Sequence, residues 1–210
     1  MSCGRQLKWY ELIPVFSFLI QGGKCRGCKT KLSVQYPIIE LLNGLLYALV
    51  FGLVGFNVQA VLFCLLASVL IVISVIDFRT YEIPIGCNIF ILILGIAQVF
   101  IDLPHMSKYV IGFFAVSLVL FIVWSISKGR AIGGGDIKLL AAAGLLLGWQ
   151  NIILAFVMGC VLGAIIHLIR MKVSGADRRL AFGPYLSMGI FIAALWGDKL
   201  VNVYLSYLGV

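Results

Sequence analysis

The chain has 210 residues, 62% of them apolar and 11% charged, with 16 Lys and Arg against 8 Asp and Glu, a formal net charge of +8. An ordinary globular chain is about half apolar and a quarter charged, so these proportions exclude a soluble domain, a disordered tail, a disulfide-rich secreted module and a nucleic-acid binder. They place the chain in a bilayer.

Residues 1–37 differ in composition from the rest, with six basic residues, Cys3, Cys25 and Cys28, and an amphipathic stretch from Trp9 to Phe16. They predict a small cytoplasmic subdomain lying at the interface, its aromatic residues in the headgroup layer. The polar, basic start does not read as a cleavable signal peptide. From Ile38 onward seven apolar runs follow: Ile38 to Asn57, Val58 to Ile76, Ile83 to Ile101, Tyr109 to Ser127, Ile137 to Trp149, Ile152 to Ile169, and Phe182 to Trp196 with an apolar tail to Val210. The expected fold is therefore all-α, a multipass transmembrane bundle of about seven spans over residues 38–210.

The fifth run has thirteen residues, about 20 Å of helix against a hydrocarbon core of about 30 Å. Loop charge decides that it crosses. The segments before Ile38, around Asp77 to Glu82, from Lys128 to Lys138 and from Arg170 to Arg179 hold 14 of the 16 basic residues, and the positive-inside rule puts them all on the cytoplasmic side. Without a fifth crossing the last of these segments would lie outside. The net charge is thus mainly a topology signal, with contact to anionic lipid secondary.

Cys64, Cys87 and Cys160 fall in spans and read as small apolar core residues. Cys25-Arg26-Gly27-Cys28 is a CxxC knuckle, and Cys3 precedes it by a spacing near that between the halves of paired zinc knuckles. A closed zinc site needs four ligands, and the position that would complete the first knuckle falls just before Met1; a start further upstream is expected on that ground. Zinc and three unligated thiols both remain open.

Asp77 ends the second span and Asp136 opens the fifth, both on the cytoplasmic side. Taken singly, Asp77 reads as an interfacial charge paired with Arg79, and Asp136 as a helix cap. Together they suggest an aspartic peptidase, in which two neighbouring carboxylates share a proton, one acting as base and the other as acid. Gly133-Gly134-Gly135 before Asp136 removes side chains and lets backbone or an extended substrate approach it. Pro84, shortly after Asp77, keeps the following loop short and stiff. His167 reads as polar glue within a span and His105 as a solvated outer residue.

In order along the chain stand the cysteine loop from Cys3 to Cys28 enclosing Trp9-Tyr10-Glu11-Leu12-Ile13-Pro14; Tyr36-Pro37-Ile38-Ile39-Glu40 leading to Gly44; Asp77 with Ile83-Pro84; Gly133-Gly134-Gly135-Asp136, a GxGD motif; and Phe182-Gly183-Pro184-Tyr185-Leu186. This ordered set resembles the type IV prepilin peptidases, bifunctional leader peptidases and N-methyltransferases of the bacterial inner membrane. The resemblance implies that Asp77 and Asp136 cleave a prepilin or pseudopilin of type IV pilus or type II secretion systems at the cytoplasmic face. The cut falls between the Gly ending a short basic leader and the hydrophobic residue that opens the substrate's N-terminal helix. It also implies methylation of the new N-terminus from S-adenosylmethionine, with Glu40 and Gly44 as candidate residues near the cysteine loop. The family usually has eight spans with its N-terminus outside, so the resemblance implies a further span and a first cysteine upstream of Met1. Two other readings stand beside this one: a peptidase without methylation, and a transporter or assembly scaffold in which the aspartates are ion ligands or helix-end charges. Glu11, Glu82 and Asp177 are the acidic residues available to meet a basic leader.

Overall fold

A computed structural model of the chain describes residues Gln6, Lys8, Glu11, 13–174, 180–207 and Gly209. The expected all-α bundle is what it shows. A short helix α1 (Phe16–Ile20) precedes α2 (Gln35–Val54), α3 (Val58–Thr80), α4 (Ile85–Ile101), α5 (Met106–Ala115), α6 (Ser117–Ile126), α7 (Gly134–Leu147), α8 (Trp149–Ser174) and α9 (Gly183–Tyr207). Buried backbone in lipid has no water to bond, so the chain satisfies itself helix by helix. Asn57 caps α3 by accepting the Ala60 N–H at 2.8 Å, and α2 ends at Gly55 with φ 83°.

Five helical stretches are long and apolar enough to cross a membrane: α2, α3, Leu103–Ile126 (a 3-10 turn running into α5 and α6), α8 and α9. Helix α4 has 17 residues and α7 has 14, or about 25 Å and about 21 Å of length. The short α7 packs against α4, α5, α6, α8 and α9, and buries Ile137, Leu139, Leu140, Ala143, Leu146 and Leu147 among others. A helix enclosed by its neighbours need not match the thickness of the lipid. It runs from a cleft that contains Asp136 to a cavity lined by Leu146 and Leu147.

Close approach of helices rests on small residues, as it must where lipid offers no hydrophobic drive. A Cβ on Gly112 of α5 would strike the carbonyl oxygen of Gly144 on α7, and the reverse holds for Gly144. On the α8–α9 pair, Gly189 faces the Ala155 carbonyl and Gly159 faces Leu186. The fourth run is not one helix: it breaks at Val116, one turn after Gly112 is drawn onto α7, and the Ser117 hydroxyl donates to the Phe113 carbonyl. Such a side-chain bond competes with the backbone ladder and bends helices.

In the N-terminal segment the CxxC knuckle is a tight turn. Cys25 N–H donates to the Thr30 carbonyl at 2.9 Å and Lys29 N–H to the Cys25 carbonyl at 3.0 Å, above a bridge between Lys24 and Lys31. Val15 N–H donates to Glu40 Oε2 at 2.9 Å, tying the segment to the first turns of α2. Trp9, Tyr10 and Cys3 lie outside the described residues.

Candidate active site

Asp77 sits three residues before the end of α3 and is 4% exposed. The helix stops directly after it because Tyr81 adopts a left-handed conformation with φ 56°, its N–H returning to the Asp77 carbonyl at 2.8 Å. Only Glu82 and Ile83 then separate this cap from Pro84, the N-cap of α4, so the loop is as short as the proline implied. The expected pairing of Asp77 with Arg79 does not form: Arg79 Nη2 donates to Gln35 Oε1 on α2. Asp77 Oδ2 instead accepts the N–H of Gly183, at the start of α9, at 2.8 Å.

Asp136 is not the cap of α7. That place belongs to Gly133, and Asp136 is the third residue of the helix, with the Gly133 N–H directed back at its carboxylate. An acidic side chain at this position bonded to the cap's amide is half of a capping box, so the position serves the helix while the rest of the carboxylate stays available. Asp77 and Asp136 are near enough to repel one another electrostatically. Both line a single cleft of about 260 Å³, with Tyr81, Glu82, Ile83 and the three glycines.

The glycines have distinct reasons. A Cβ on Gly133 would lie 2.9 Å from Asp136 Oδ2, and one on Gly135 would lie 3.1 Å from Ile83 Cβ, whereas at Gly134 nothing lies within 4 Å. The spacing G-x-G-D is therefore read out sterically: two positions need no side chain and the one between them is open. Gly183 is equally constrained, since a Cβ there would lie 2.8 Å from Asp77 Oδ2. Two contributors to the site carry no signal in the chemistry of the residues themselves. They are the Gly183 amide and Asn88, a buried residue of α4 whose Nδ2 approaches the Gly135 carbonyl at 3.5 Å.

The remaining sequence candidates lie apart from this cleft. Glu40 is exposed and holds Val15, while Gly44, one turn on, has nothing within 4 Å of where a Cβ would stand. Neither lines the cleft that holds Asp77 and Asp136. Cys28 Sγ lies 3.1 Å from Thr30 Oγ1. Among the described residues no group of three or more His, Cys, Asp or Glu could hold a metal ion; Cys3, the third sulfur of the expected knuckle, lies outside them. Glu11 is not an open counter-charge: it is buried, accepts the Lys8 N–H at 3.0 Å and lies 4.0 Å from Arg26 Nε. Asp177 is outside the described residues, and Glu82 lines the cleft. His105 is exposed but not merely solvated, its Nδ1 lying 2.8 Å from Asp102 Oδ1. His167 Nδ1 is buried without a partner among the described residues.

The profile of the Type IV leader peptidase family matches residues 64–168, and that of the Bacterial Peptidase A24 N-terminal domain matches residues 1–54. A prepilin leader peptidase/N-methyltransferase of Pseudomonas aeruginosa is 33% identical over 99% of this chain and 74% of its own length. The chain belongs to the type IV leader peptidase family. Relatives of the same name from Stutzerimonas stutzeri and Bacillus subtilis are 34% and 32% identical, over 98% and 97% of this chain and 73% and 83% of theirs. No solved structure matches. Both aspartates, and Gly133 to Gly135, fall within the family's profile match.

Proposed function

We propose that this membrane protein removes the leader from a type IV prepilin or pseudopilin with Asp77 and Asp136 as its catalytic pair, and methylates the new N-terminus. Leader-peptidase and N-methyltransferase activity follow from the family and the names of its relatives. The observation that carries the residue assignment is that two carboxylates from different helices line one cleft at one end of the bundle. One takes a proton from water, and the resulting hydroxide attacks the carbonyl carbon of the leader's terminal Gly. The other, protonated, donates to the developing oxyanion. When the intermediate collapses the C–N bond breaks, the amine leaves with a proton, and the leader is released as a carboxylate. Preorganisation comes from the Gly183 and Gly133 amides, which hold each carboxylate by one backbone bond.

The cleft lies at the cytoplasmic face of the bacterial inner membrane on this reading, with residues 1–37 as a cytoplasmic subdomain and 38–210 as the membrane body. Glu82, in the cleft wall, meets the basic leader, and the substrate's hydrophobic helix enters from the lipid. S-adenosylmethionine supplies the methyl group. Fully separated aspartates would have favoured a scaffold; their shared cleft favours catalysis.

The test is the intact mass of a prepilin incubated in membranes with this protein and S-adenosylmethionine, run beside Asp77→Asn. Loss of the leader with gain of one methyl is expected from the native chain, and an unchanged mass from the variant. An Asp77→Asn or Asp136→Asn chain that still cleaves would overturn the assignment, and cleavage without a methyl would reduce the activity to the peptidase.

A further inference from the structure

The loop that joins α3 to α4 places one side chain in the cleft that the proposed reaction does not use. Tyr81 lines the cleft with both aspartates. Its N–H returns to the Asp77 carbonyl at 2.8 Å, which ties it to the residue it stands beside. Its backbone is left-handed, with φ 56° and ψ 29°. That cap conformation ordinarily falls to glycine or asparagine, because a larger side chain crowds its own peptide. The turn alone therefore does not account for a tyrosine, and an unfavourable conformation at a functional cleft directs attention to what the side chain does there.

The fold does not engage that side chain. Tyr81 is 51% exposed, and among the described residues its hydroxyl has no hydrogen bond and its ring no aromatic or cationic partner. The rest of the cleft is rich in acceptors. Glu82 and an ionised aspartate only accept hydrogen bonds, and in the proposed reaction the proton of the other aspartate goes to the oxyanion. Ile83 is packed against Gly135, and the three glycines carry no side chain. The Tyr81 phenol is thus the one neutral side-chain donor among the described residues that line the cleft. An extended peptide brings a carbonyl at every residue, and each one that leaves water needs a donor.

We propose that Tyr81 is a substrate-binding residue whose hydroxyl donates to a main-chain carbonyl of the bound leader, equally in the ground state and the transition state. This rests on the leader-peptidase reading of the cleft and adds to it a residue that holds the substrate away from the reacting atoms.

Initial rates of cleavage by the full chain in membranes test this. Native, Tyr81→Phe and Tyr81→Gly chains are compared on a prepilin and on the same prepilin with its leader Lys and Arg replaced by Gln. Tyr81→Phe keeps the ring and loses only an unbonded hydroxyl, so its Tm in detergent should match the native value. Its KM is expected to rise about fivefold on both prepilins with kcat within about twofold, as for a lost bond to a non-reacting group. Tyr81→Gly suits the left-handed backbone and so keeps the fold; its KM should rise at least as far. A native KM in Tyr81→Phe, a loss confined to kcat, or a lowered Tm in that variant overturns the inference. So does a KM difference that disappears on the Gln-leader prepilin, because the phenol would then be meeting a basic side chain and not the main chain. A native chain that cleaves neither prepilin overturns the leader-peptidase reading itself.

Discussion

Among the described residues each end of this bundle carries two aspartates, and the two pairs are treated in opposite ways. Asp77 and Asp136 are each held by one backbone amide, from Gly183 and Gly133, and share a cleft. Asp102 and Asp198 are held by side chains: His105 and Tyr109 on one, Asn151 and Lys108 on the other. Side-chain donors occupy both oxygens of Asp102 but converge on a single oxygen, Oδ1, of Asp198.

The largest expected difference between the ends is catalytic. Asp77→Asn or Asp136→Asn should lower cleavage by on the order of 10⁴, while Asp102→Asn stays within about twofold, measured as initial rates on one prepilin; equal losses would erase the contrast. Next comes the backbone donor: Gly183→Ala pushes a methyl into Asp77 and should cost about 100-fold in rate with little change in KM, the helix content by circular dichroism being retained. Gly144→Ala forces α5 from α7 and should destabilise by about 1–3 kcal/mol, read as a lowered Tm in detergent. Within the glycine run, Gly133→Ala should impair cleavage and Gly134→Ala should leave it within about twofold, because only the first crowds Asp136. The smallest effect is at the opposite end. The lowered Asp102 carboxyl stabilises the α4–α5 junction above the ordinary carboxylate range, and that contribution is lost as pH falls through its lowered value. A Tm-against-pH curve for Asp102→Asn should lack that acid-side loss.

Apolar run length was enough to find every long helix, because lipid admits so few alternatives. It could not show the break at Val116, which depends on what Gly112 meets on another helix, nor that α8 begins at Trp149 with only Gly148 after α7. Asp77 and Asp136 were visible as rare acids at the ends of apolar runs, and the glycines as a motif. The pairing was not: Gly183 stood in a motif of its own, 106 residues from Asp77, and an amide donates whatever side chain it bears. Glu11 illustrates the reverse error, an acid counted as available from its place in a basic segment but engaged by Lys8 and Arg26. The cavity at the opposite end was missed for the same reason, since Gln98, Tyr109, Asn151 and Asp198 come from four separate helices and none is unusual alone.

The cleft around Asp77 and Asp136, at about 260 Å³, has room for about eight waters at their bulk volume of about 30 Å³ each. An extended leader segment laid along the glycines must evict most of them. Hydrolysis on the proposed pathway then draws on a resident molecule pinned between the carboxylates, replenished once per turnover, and the rate at which product leaves and solvent refills the cleft becomes part of the enzyme's kinetics.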